Sequence, residues 1–127
     1  MRGTQQQNSQ PSRSQDSPSW AETLEGLRAD YLRDSPARLD AIAGLIARLE
    51  GRPSGAALGE LRTRFHGLSG SGLTYGFPAV SVLGSRGEEA CRAAIQADAT
   101  PSSGDFAEWR IVLDALHREL DRGTASH

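Results

Sequence analysis

Residues 64–77 read RFHGLSGSGLTYGF, a stretch that keeps a helical beat while breaking the usual rules of helix composition. Leu58, Leu61, Phe65, Leu68 and Gly72 return to one face at helical spacing, so a helix is expected from about Gly55 to Tyr75, stopped by Gly76. Yet Gly59, Gly67, Gly70 and Gly72 lie inside it, and each glycine in a helix costs roughly 0.5–1 kcal/mol relative to alanine. With Phe65 set at zero on a wheel of about 100° per residue, His66 falls roughly 130° from the centre of the apolar set, toward solvent. Arg62, Thr63, Ser69 and Gly70 are its neighbours one turn away. Gly59 and Gly70 project nearly the same way as His66, which leaves the imidazole bare and open to a second molecule.

Outward from this helix, the rest of the chain reads as further helices with no period-2 strand. Ser19 and Glu22 have capping-box spacing and open a first helix with Trp20, Leu24, Leu27, Tyr31 and Leu32 as its stripe. Asp34-Ser35-Pro36 is expected to stop it and to start a second, with Ser35 as cap and Leu39, Ile42, Ala43, Ile46 and Leu49 inward. Pro78 suits the start of the next helix, which would bury Val80, Leu83, Gly87, Ala90, Cys91 and Ala94. Asp105 and Glu108 offer a cap for the last, which carries Phe106, Trp109, Val112, Leu113, Leu116 and Leu120 and would end at Arg122-Gly123. The predicted fold is all-α: an up-and-down four-helix bundle with an additional short N-terminal helix, spanning residues 19–123. Residues 1–18, rich in Gln, Ser, Pro and Arg, have almost nothing to bury and read as a disordered tail or linker, as do residues 124–127.

Composition narrows the function classes. A chain of 127 residues is one domain with at most a tail, large enough to bury a core without metal or disulfides. A net charge of -2 argues against non-specific nucleic-acid binding. All 14 basic residues are arginine. The lone Cys91, the lack of a signal peptide and the lack of any membrane-length apolar run lead us to expect a cytoplasmic, monomeric protein without membrane insertion. Three scattered histidines and one cysteine show no metal-ligand spacing, so neither metal nor cofactor is expected. His117 and His127 read as solvated surface and terminus, and Cys91 as a small core residue.

His66-Gly67-Leu68-Ser69-Gly70-Ser71-Gly72-Leu73-Thr74-Tyr75-Gly76-Phe77 resembles the signature of histidine-containing phosphotransfer domains. In that family the histidine is followed by x-Leu-Lys-Gly, two small residues, two variable ones, an apolar residue and Gly. The Thr-Tyr-Gly-Phe ending is similar to the phosphotransfer domain of chemotaxis-type histidine kinases. The resemblance implies that His66 accepts a phosphoryl group from a histidine kinase and exchanges it with an aspartate of a response-regulator receiver domain. It also implies that Glu88, from the next helix, holds the ring: a carboxylate accepting the Nδ1 proton fixes the tautomer and leaves Nε2 as nucleophile. Ser69 stands where the family has its lysine, and Ser85 where some chemotaxis-type domains have a second histidine. Arg62, one turn upstream of His66, is the candidate to replace the lost charge. Gly59, Thr63, Gly70 and Leu73 are the expected docking surface.

No kinase or hydrolase activity of its own is expected. The glycines follow no strand and lack the Gly-Lys-Ser/Thr ending of a phosphate loop, and no strand-to-helix elbow precedes Ser71. Two other readings stand beside the phosphocarrier: a docking module of the same fold that is not phosphorylated, for which Ser69 speaks, and a structural bundle whose exposed histidine is incidental.

Overall fold

The computed structural model describes residues 19–126; the tail assigned to residues 1–18 and His127 lie outside them. Within that span the chain is all-helical: α1 (Trp20–Gly51), α2 (Gly55–Thr74), α3 (Pro78–Gln96) and α4 (Ser103–Ala125). Each helix packs on the next and α4 closes back on α1. Leu39, Ile42, Leu58, Leu61, Phe65, Val80, Trp109, Val112 and Leu116 form the sealed centre, all drawn from the predicted apolar faces.

α1 corrects the expectation of a separate short N-terminal helix. The helix runs unbroken through Pro36 for 32 residues. An internal proline removes one N–H and crowds the carbonyl a turn earlier. The carbonyl that loses its helical donor to Pro36 is that of Leu32. One residue earlier, the Ser35 hydroxyl donates to the Tyr31 carbonyl at 2.7 Å and the Arg38 guanidinium donates to the same oxygen at 3.2 Å, which fastens the turn leading into the proline. Ser35 is therefore a buried helix-interior hydroxyl rather than a cap. The Ser19–Glu22 capping box at the start of α1 is present as expected. The stripe that follows it is only half used: Tyr31 and Leu32 are buried, whereas Trp20 and Leu27 are exposed.

The turn from α2 to α3 is built by the end of the opening stretch. Gly76 has φ +85°, the left-handed conformation that glycine adopts at least cost. The Phe77 N–H reaches the Gly72 carbonyl at 2.7 Å and the Gly76 N–H that of Leu73 at 3.3 Å, the paired bonds of a Schellman stop. Tyr31 stacks on both Tyr75 and Phe77, its hydroxyl meets Ser71 Oγ at 2.8 Å, and Arg28 Nε donates to the Tyr75 carbonyl at 2.9 Å. These contacts fasten the turn to α1.

Two boundaries of α4 differ from expectation. Its cap is Ser102, with Asp105 as the reciprocal partner, three residues earlier than the predicted Asp105–Glu108 box. Glu108 instead pairs with Arg86 of α3 through both carboxylate oxygens. At the other end the helix passes through Gly123 to Ala125, so Thr124 and Ala125 are helical rather than disordered. A Cβ on Gly123 would lie 3.1 Å from both Leu32 and Phe77, so this glycine serves close packing rather than helix termination.

The α2–α3 pair is the tightest, and glycines make it so. A Cβ at Gly84 would fall 2.6 Å from the Ser69 backbone nitrogen, and one at Gly87 would fall 2.5 Å from the Phe65 ring. Gly59, Gly67 and Gly70 have no neighbour among the described residues within 4 Å of that position. Gly87→Ala is therefore expected to destabilise the fold by about 1–3 kcal/mol through overpacking. Gly70→Ala should stabilise it by about 0.5–1 kcal/mol by removing a helix-interior glycine. Urea titrations of the two variants check the opposite signs; a destabilised Gly70→Ala would mean that the position is packed after all.

The α3–α4 ion pair sets a pH dependence. Hydrogen bonding to Arg86 holds the Glu108 carboxyl below its ordinary value of 4.5, against a smaller opposing effect of burial. A lowered folded-state pKa gives stability that is present above the unfolded value and lost as pH falls through the folded one. The loss in melting temperature caused by Arg86→Ala should thus be full at neutral pH and fade below about pH 4.5. A loss that does not change down to strongly acid pH would contradict this.

Candidate functional site: an exposed histidine held by a neighbouring carboxylate

α2 and α3 meet along an antiparallel seam, with His66 opposite Glu88, Ser69 opposite Ser85, and Gly72 opposite Ser81. Phe65 is fully buried, so the next residue is carried outward by the 100° step of the helix. The His66 side chain is 73% exposed. On α3, Gly84 and Gly87 draw the helix against α2, and Glu88 follows directly on the rim of the core face. Its side chain is only 13% exposed and lies under the imidazole.

Both carboxylate oxygens of Glu88 sit 3.2 Å from His66 Nδ1. An ionised carboxylate only accepts, so Nδ1 carries the proton and donates it. The neutral ring in this arrangement keeps its lone pair on Nε2. Positive charge created on the ring by reaction at Nε2 would be met by the Glu88 carboxylate at once.

Arginines complete the surroundings. Arg62 Nε lies 3.8 Å and Arg92 Nη2 3.5 Å from Glu88 Oε2. Arg92 also spans to Glu89 at 2.5 Å. Arg62, Thr63, His66 and Glu88 line a shallow depression of about 230 Å³. Arg62 lies beside His66 and is turned toward the Glu88 carboxylate. The hydroxyls of Ser69 and Ser85 are 2.8 Å apart, so the two positions that depart from the resembled pattern meet one turn beyond the histidine.

Of the predicted docking residues, Thr63 lines the same depression as His66. Gly70 is exposed, Leu73 is 68% exposed and Gly59 is half-buried. Thr63 donates to the Gly59 carbonyl and Thr74 to that of Gly70, each at 3.0 Å, so threonines one turn on cover backbone that the glycines leave open. Cys91 is buried beside Trp109; burial pushes its thiol up to about 12, which makes it inert at neutral pH. His117 is exposed, as expected of a surface histidine.

Arg92 and Gly84 were missing from the expected site. Arg92 stands four residues after Glu88, a helical ion-pair spacing that was available to read. Gly84 gave no such signal, because its importance lies in what presses on it from α2.

No group of three or more His, Cys, Asp or Glu side chains able to hold a metal ion occurs among the described residues, and none of their helices is long and apolar enough to cross a membrane. No family model matches the chain, and neither a curated protein nor a solved structure matches it.

Proposed function

We propose that this protein is a cytoplasmic histidine phosphocarrier, an up-and-down four-helix bundle of the histidine-containing phosphotransfer type. His66 takes a phosphoryl group from a histidine kinase and exchanges it with an aspartate of a receiver domain. One observation carries this reading: an imidazole 73% exposed, its Nδ1 held by a nearly buried carboxylate, on a helix face of glycines that have no packing role. A structural bundle would gain stability by replacing Gly59 and Gly70 with alanine, so their presence speaks against an incidental histidine.

The step balances simply. The Nε2 lone pair attacks phosphorus, the N–P bond forms, and the bond to the donor's leaving group breaks. Nδ1 keeps its proton, and the imidazolium charge is offset by Glu88. In the second transfer a carboxylate oxygen of the receiver attacks, the N–P bond breaks, and the ring returns to neutrality. Positioning and charge stabilisation carry most of phosphoryl-transfer catalysis, and a bundle that only presents a nucleophile leaves the rest to its partner. The carrier therefore has no autonomous kinase or hydrolase activity in this reading.

The neutral Ser69–Ser85 pair favours a second reading, in which the same face binds a receiver or kinase domain without being phosphorylated. The two are separated by incubation with a histidine kinase and ATP. Phosphorylation predicts an acid-labile, alkali-stable label that His66→Gln abolishes. Receiver binding with no label at all would support the docking module and overturn the carrier.

A further inference from the structure

We infer that Arg92 is a positioning residue, which with Arg62 turns Glu88 toward His66 and so selects the ring tautomer. Among the described residues Glu88 is the group that hydrogen-bonds Nδ1, and its own orientation needs a cause. A glutamate has three side-chain torsions, and Glu88 is followed by a second glutamate that is well exposed. Left alone, its carboxylate would gain hydration by swinging outward. The two arginines oppose that swing. Both approach the same oxygen, Oε2, at 3.8 Å for Arg62 and 3.5 Å for Arg92.

Arg92 is the better fastened of the two. Its guanidinium spans adjacent carboxylates on α3, Nη1 to Glu89 and Nη2 to Glu88. The planar fork makes this possible; a lysine ammonium is a single point and cannot hold both in the same geometry. Arg62 adds to the clamp from the opposite helix, across the seam. The charged groups of α2 and α3 facing the imidazole are then Glu88 directly, and Arg62, Arg92 and Glu89 through it. An unassisted neutral imidazole in water favours the proton on Nε2, which would block that nitrogen as a nucleophile. The arginines thus act on His66 only through the carboxylate.

The consequence for phosphoryl acceptance rests on the phosphocarrier reading, but the tautomer does not, and the experiment separates them. In ¹⁵N-labelled protein, at a pH where the ring is neutral, long-range ¹H–¹⁵N spectra report which nitrogen of His66 carries the proton. The wild type should show Nδ1–H in excess. Arg92→Ala should lower the ratio of Nδ1–H to Nε2–H roughly two- to fivefold, the range set by one partly exposed ion pair. Arg92→Lys should fall between, since it keeps charge and loses the fork.

A ratio unchanged in both variants would overturn the inference. If Arg92→Ala fails to fold, the Arg92→Lys ratio decides alone. Phosphoramidate is the probe of acceptance, and its rate should fall in proportion to the fraction of His66 that keeps the proton on Nδ1. Should the tautomer shift while wild-type His66 takes no phosphoryl group, the clamp stands and the carrier reading fails.

Discussion

The close contact of α2 with α3 is the constraint on which the site depends. Phe65 and the backbone around Ser69 press into space that only glycine leaves free, at Gly84 and Gly87. Any side chain there would push α3 outward by a good fraction of an ångström or more. Glu88, next in sequence to Gly87, would then lose a contact to His66 that stands at 3.2 Å and has no slack. Packing and chemistry are one arrangement here: the buried side of each helix sets where the exposed side meets.

Glycine serves two separate purposes along these helices. At Gly72, Gly84, Gly87 and Gly123 it lets another element approach, and the cost of a flexible residue is offset by tight packing. At Gly59, Gly67 and Gly70 none of the described residues uses the space. Those three weaken α2 with no packing return among the described residues, which is why the proposed function assigns that face to a partner. The serine pair one turn beyond the ring adds two hydroxyls and no charge, while the arginines lie on the other side of the histidine and are engaged with Glu88. Positive charge near the ring is thus displaced relative to the pattern that residues 66–77 resemble.

Much of this was readable from residue order, and the failures share a cause. The outward position of His66 follows from helical geometry once Phe65 and Leu68 are placed inside, and both are buried. Gly76 and Pro78 mark their boundaries through backbone conformation, a local property, and both stand where expected. Pro36 misled because the turn before it is fastened by Ser35 and Arg38 donating to the Tyr31 carbonyl and by burial of Tyr31, Leu32 and Ser35, contacts that only the folded helix supplies. Gly123 misled similarly: its neighbours are Leu32 and Phe77, distant in sequence, so a glycine that resembles a helix stop is a packing residue. Glu88 was placed by resemblance to a family, and its reach to His66 depends on Gly84, whose role no local pattern announces.

Glu88 occupies Nδ1 of His66, and the proposed phosphocarrier chemistry therefore falls to Nε2. Treating ¹⁵N-labelled protein with phosphoramidate, and reading phosphorus–nitrogen couplings by NMR, tests it most directly. A single phosphoryl group on Nε2 of His66, with the proton kept on Nδ1, is the expected result. Attachment at Nδ1, or no phosphoryl group on His66 in protein that remains folded, would contradict it.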